Sequence, residues 1–117
     1  MKGIFIDPDE QRVYKVDLGK GELKDFYKLL DCDLIDRVSY NDKNDLVVDD
    51  EGLFKGHKVF YSILGVPGQF VGKSVIVGVD FEKGDWTDPI DLDEPVLVQF
   101  YIPVTEEKSN DELPDQQ

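Results

Sequence analysis

Apolar and polar positions along the 117-residue chain change period several times, and each change predicts an element. Lys2 to Ile6 and Arg12 to Leu18 are β-prone runs on either side of Asp7-Pro8-Asp9-Glu10. Proline there presets a turn and withholds a ladder donor, so the spacing predicts a hairpin. After Gly19-Lys20-Gly21, residues Leu23, Phe26, Tyr27 and Leu30 recur at helical period, and Lys24, Asp25 and Lys28 fall on the other side. Glu22 to Leu30 is therefore predicted as one amphipathic helix lying on a sheet.

Leu34 to Tyr40 and Leu46 to Val48 bracket Asn41-Asp42-Lys43-Asn44-Asp45 and predict a second hairpin, closed by Asp49-Asp50-Glu51-Gly52. Val59 to Leu64, Ser74 to Val79 and Val96 to Val104 are further strands. The unbroken apolar runs VIVGV and VLVQFYI predict central strands buried on both faces. From Thr105 the chain is polar, acidic and aperiodic, which predicts an acidic mobile tail over 105–117 behind one domain over 1–104. The expected fold class is α+β, mainly antiparallel sheet with one amphipathic helix packed on it.

Charge changes this picture most. Thirteen basic residues against twenty-six acidic give a net charge of −13. Such a body repels nucleic-acid phosphates and anionic membranes, so neither is expected as a direct ligand. The charge is also segregated. Gly52 to Val79 contains no acid, only Lys55, His57, Lys58 and Lys73, whereas the next stretch gathers Asp80, Glu82, Asp85, Asp88, Asp91, Asp93 and Glu94 against Lys83. A strand-rich core segment avoids carboxylates in any case, because burying them is costly. The lone Cys32 forms no intrachain disulfide and no long apolar run is present, which points to a cytoplasmic protein.

Candidate chemistry is thin. GQFVGKS, Gly68 to Ser74, approaches a phosphate-binding loop but is one residue short, and the β-branched VIVGV that follows denies it a helix N-terminus. Cys32 lies between Asp31 and Asp33, which disfavour a thiolate, so no thiol nucleophile is expected with His57. No acidic run has the spacing of a calcium loop, and no metal or cofactor is expected.

The acids themselves suggest a surface. A compact chain of this size has a radius of gyration of about 13 Å, and duplex DNA of matching length carries about 20 charges, so the acidic body approaches its charge density. Alternate acids such as Asp91 and Asp93, extended, would stand roughly 6.6 Å apart on one face, able to meet a row of lysines or arginines. Trp86, set among them, is either an interface anchor or a cap over the sheet edge.

MKGIFIDPDEQRVYKVDL, the helix, IDRVSYNDKNDLVVDDEG and FVGKSVIVGVDFEKGDW, together most of Met1 to Trp86, resemble the uncharacterised family of short proteins termed domain of unknown function 3846, found in phages, plasmids and other mobile elements. The resemblance brings no catalytic residue. It implies a context in which small acidic proteins bind host defence or nucleic-acid-handling proteins, some by imitating a phosphate backbone. The expectation is thus a non-enzymatic protein binding, and inhibiting, a basic host protein through Asp80, Glu82, Asp85, Trp86, Asp88, Asp91, Asp93 and Glu94, aided by Asp49, Asp50 and Glu51. The alternative is a small-molecule or nucleotide site in segment 52–79 using Lys58, Lys73 and His57.

Overall fold

A computed structural model describes residues 1–104. The acidic segment 105–117 lies outside the described residues.

Both predicted hairpins form. β1 (Lys2–Asp7) pairs antiparallel with β2 (Arg12–Asp17), and the Asp7 carboxylate accepts the N–H groups of Asp9 and Glu10 at 3.0 and 3.4 Å to hold the turn. The helix α1 (Leu23–Leu30) begins where the Asp25 carboxylate accepts the Glu22 N–H at 2.9 Å, and it ends on Asp31 in a left-handed conformation. β3 (Ile35–Asn41) pairs with β4 (Asn44–Asp49). That turn is tighter than the polar run NDKND suggests. Only Asp42 and Lys43 lie between the strands, and Asn44 and Asp45 are buried strand residues.

β7 (Ser74–Asp80) joins the hairpins, pairing with β1 on one side and β4 on the other. Where β1 runs out, β8 (Asp85–Thr87) takes its place beside the last three residues of β7. The order in the sheet is β2-β1-β7-β4-β3, with β8 on β7. A second, three-stranded sheet packs on one face, with β5 (Phe60–Ile63) between β6 (Val66–Val71) and β9 (Val98–Tyr101). The fold is α+β, mostly antiparallel, with one helix.

The helix and the small sheet cover opposite faces of the large one. Phe26 and Leu30 pack with Phe5, Val47, Val75 and Val77, while Ile6, Leu46 and Ile76 pack with Tyr61, Ile63 and Val66. β7 is therefore sandwiched, and its unbroken apolar run follows because neither face meets water. The Tyr61 hydroxyl ties the layers. It donates to the Gly72 carbonyl at 2.7 Å and shares a 2.7 Å hydrogen bond with Ser74, and burial pushes the phenol well above its usual range.

One expectation is corrected. VLVQFYI is not a strand buried on both faces. The strand within it is β9, an edge strand whose Val98 and Phe100 face the core while Gln99 is exposed, because the small sheet packs on the large one by a single face. The stretch Gly68 to Ser74 runs as the end of strand β6, a turn at Gly72-Lys73 and the start of β7, and Pro67 lies on the edge strand β6, where no donor is needed.

Candidate functional site

The site is built at the C-terminal end of β7, where the helix stops covering the sheet. An eight-residue helix spans only about 12 Å. Beyond it, Val79, Trp86, Asp45 and Arg37 line a groove of about 670 Å³, walled by Leu23 of the helix and Phe81 of the β7–β8 turn. Leu23 is 56% and Phe81 75% exposed, so the groove has apolar side chains on two of its walls.

Trp86 is fixed rather than free. Its ring lies 4.9 Å from that of Phe26, and its indole N–H donates to Asp45 Oδ2 at 3.0 Å. The same oxygen accepts a long 3.4 Å contact from Arg37 Nη1. Trp86 thus packs on the helix face of the sheet, as a cap would, and its other side forms the groove wall.

The acidic stretch proves to be strapped down over much of its length. Asp80 turns its carboxylate to the N–H groups of Glu82 and Lys83 at 3.1 and 3.2 Å, closing the hairpin. Asp88 accepts the Lys2 N–H at 2.7 Å, finishing the row of β1 donors. Asp91 pairs with Lys43, whose ammonium is held above its usual range by that hydrogen bond. Ile90 is clamped by Asn44, which accepts its N–H at 2.8 Å and donates to its carbonyl at 2.9 Å. Gly78 leaves the room this strap needs, for a Cβ there would collide with the Asp88 carbonyl and lie 2.8 Å from Ile90 Cγ1. Glu82, Asp85, Asp93 and Glu94 are exposed and form no ion pair among the described residues.

Asp49, Asp50 and Glu51 do not join this surface. Val48 pairs with Ser74 and Asp85 with Asp80, so the two acidic groups lie at opposite ends of β7, roughly 20 Å apart. Asp49 is moreover buried, 2.7 Å from Lys55 Nζ, and it accepts the Glu51 N–H. Hydrogen bonding to Asp49 raises the Lys55 ammonium above its ordinary range.

At that end His57 and Lys73 line a cleft of about 70 Å³ with Asp9, Asp31 and Asp49, while Lys58 does not line it. The volume is far below what a nucleotide occupies. Gly72-Lys73 is a turn leading into a strand, so no helix N-terminus faces a phosphate. Among the described residues no three His, Cys, Asp or Glu are grouped to hold a metal ion, and no helix is long and apolar enough to cross a membrane. Cys32 is buried, and burial, with Asp49 second, pushes its thiol up. It is expected to react with a disulfide reagent at pH near 8 only after denaturation. Prompt labelling of the native protein would contradict that placement.

The sequence missed Asn44, Asp45, Arg37 and Phe81. Asn44 and Asp45 were hidden in a polar run typical of turns, and the one available signal was that a hairpin turn needs only two residues, which returns both to the strand.

Among known proteins, the chain is similar to the uncharacterized protein y4iR of Sinorhizobium fredii (strain NBRC 101917 / NGR234), at 29% identity over 86 residues. The match covers 73% of this chain and 50% of the relative, so the chain spans about half the length of the curated relative it matches. No solved structure matches. Neither the relative nor the family brings an assigned activity. Residues 1–97, which carry every element but β9, match the family described as domain of unknown function (DUF3846), and the chain belongs to that family.

Proposed function

We propose that the protein is a non-enzymatic interaction module, carried by a phage or other mobile element and acting in the cytoplasm, that binds and inhibits a basic nucleic-acid-handling or defence protein of the host. The observation that carries this reading is the β7–β8 hairpin. Glu82 and Asp85 stand exposed without an ion-pair partner among the described residues, beside exposed Phe81 and anchored Trp86. Asp80 and Asp85 face each other across the hairpin, and like charges in that position reduce sheet stability. A charged rim around aromatic contact area is the composition of an interface whose rate of association depends on electrostatic steering.

The surface is narrower than the run Asp80 to Glu94. Asp80, Asp88 and Asp91 serve the fold, so reversing them would confound binding with unfolding. The informative variant is Glu82→Lys with Asp85→Lys, alone and combined with Asp93→Lys and Glu94→Lys. With affinity capture from a host lysate at low and high salt, wild type is expected to retain a basic protein at low salt and release it at high salt. The double variant is expected to retain it at least about tenfold less well with an unchanged circular dichroism spectrum. Equal retention by the folded variant would refute the assignment.

A further inference from the structure

The sheet edges of this fold are not guarded alike. A strand edge offers unpaired N–H and C=O groups to any passing chain, and charge, proline, a bulge or brevity keeps it single. β2 carries Arg12, Lys15 and Asp17, and β3 carries Asp36 and Arg37 with a break in register between Ser39 and Asn41. β8 is three residues long and begins with Asp85, and β6 contains Pro67. β9, Val98-Gln99-Phe100-Tyr101, has no charge, no proline, no glycine and an unbroken register with β5. Only its four-residue length protects it.

The pairing shows which groups the edge presents. The Leu97 carbonyl accepts the Leu64 N–H at 2.9 Å, so Leu97, Gln99 and Tyr101 turn their backbone groups to β5. Those of Val98 and Phe100 then point away from the sheet and meet no strand among the described residues. Beside them Leu64 and Leu97, 72% and 53% exposed, line a groove of about 420 Å³ that has no charged side chain on it. The same two leucines line a second groove of about 470 Å³, where Asp91, Asp93 and Glu94 stand with no lysine, arginine or histidine. Lys43 takes Asp91, and the exposed Asp93 and Glu94 form no ion pair among the described residues. At the other end of β9, Tyr101 pairs with Phe60, and the exposed Lys58 precedes Phe60 closely. Among the described residues the edge is therefore negative where β9 starts and positive where it ends.

We infer that the β9 edge receives an extended segment of the basic partner as an added antiparallel strand, an inference that rests on the interaction reading above. Antiparallel addition continues the pattern of the small sheet and puts the C-terminal end of the incoming strand beside Leu97 and Glu94. The segment that fits has alternating apolar residues followed by arginine or lysine. Its backbone pairs with Val98 and Phe100, its apolar side chains cover Leu64 and Leu97, and its basic end meets Asp93 and Glu94. The opposite direction would set that basic end against Lys58. A second copy of this chain fits less well, because β9 has no basic residue to offer and each copy brings a net charge of −13.

The probe is a peptide of three valine-threonine pairs followed by two arginines, titrated into the full chain by calorimetry, with amide hydrogen exchange read at Val98 and Phe100. Binding is expected to be saturable and to slow both amides at least about tenfold. The same peptide with its arginines in front, and the original order N-methylated throughout its valine-threonine part, are each expected to bind about tenfold more weakly. Asp93→Asn with Glu94→Gln, at exposed positions outside the strands, is expected to cost about tenfold as well. Binding that leaves Val98 and Phe100 exchanging freely, or equal binding of the peptide with its arginines in front, would overturn strand addition. So would amides already slow in the protein alone. Slowing that grows with protein concentration would give the edge to a second copy, and slowing that does not would give it to this chain's own residues. If host capture depends on Glu82 and Asp85 while the peptide leaves both amides unprotected, the edge falls and the acidic surface stands. If the amides are protected as expected and no basic host protein is captured, the edge stands and the inhibitor reading falls. If neither result is obtained, both fall.

Discussion

Gly78→Ala is expected to destabilise the protein by about 3 kcal/mol, read as a lowered midpoint in urea with an unchanged slope. The position needs no left-handed backbone, so the cost is one of space alone. Its missing Cβ is the site where the backbone of Asp88 and the side chain of Ile90 cross the sheet. The nearest obstacle is a carbonyl oxygen on a chain held from both sides, by Lys2 and by Asn44, which cannot swing aside as a long side chain would. Either β7 shifts out of register with β4 and β1, or the strap lifts. A loss under about 0.5 kcal/mol would show that residues 88–90 are not seated on Gly78.

Asn44→Ala is expected to cost about 2 to 4 kcal/mol, because it leaves both the N–H and the carbonyl of Ile90 without partners in a part-buried place. The carboxamide offers a donor and an acceptor together, so it substitutes for a neighbouring strand. Asn44→Asp is expected to recover less than half of the loss, since a carboxylate accepts the N–H and cannot donate to the carbonyl. Full recovery by aspartate would place the essential bond on the N–H alone. Asn44 and Gly78 are paired residues on adjacent strands and hold the same strap. Their effects are therefore expected to fall short of additive, since the segment can be released only once.

Why these two residues escaped a reading of the sequence is instructive. The hairpins, the helix and the central position of β7 were legible because each depends on local turn chemistry or on periodicity within one segment. Asp7 closing its own turn and Phe26 with Leu30 on one stripe are of that kind. Asn44 and Gly78 act on Ile90 across the fold, and no local pattern announces such a contact. The same holds for the acids. Asp80, Asp88 and Asp91 look alike in a row of carboxylates, yet one closes a turn, one caps a strand and one pairs with Lys43. What separates them from Glu82 and Asp85 is the position of distant donors. The division into two sheets was hidden for a related reason. An alternating strand such as Val98 to Tyr101 has the same pattern whether it edges a small sheet or a large one.

The placing of β7 between β1 and β4 also governs the order in which the molecule can assemble. Those two strands never touch each other as neighbours, and the one that joins them is synthesised after both. Until Ser74 to Asp80 leaves the ribosome, the amino-terminal half is two hairpins and a short helix with their apolar sides unmatched. An isolated hairpin is marginal in water, and distant pairing is slow, on the order of milliseconds to seconds for sheets of this kind. Cooperative collapse must then wait for the middle strand, which makes this fold a late event in the life of the nascent chain.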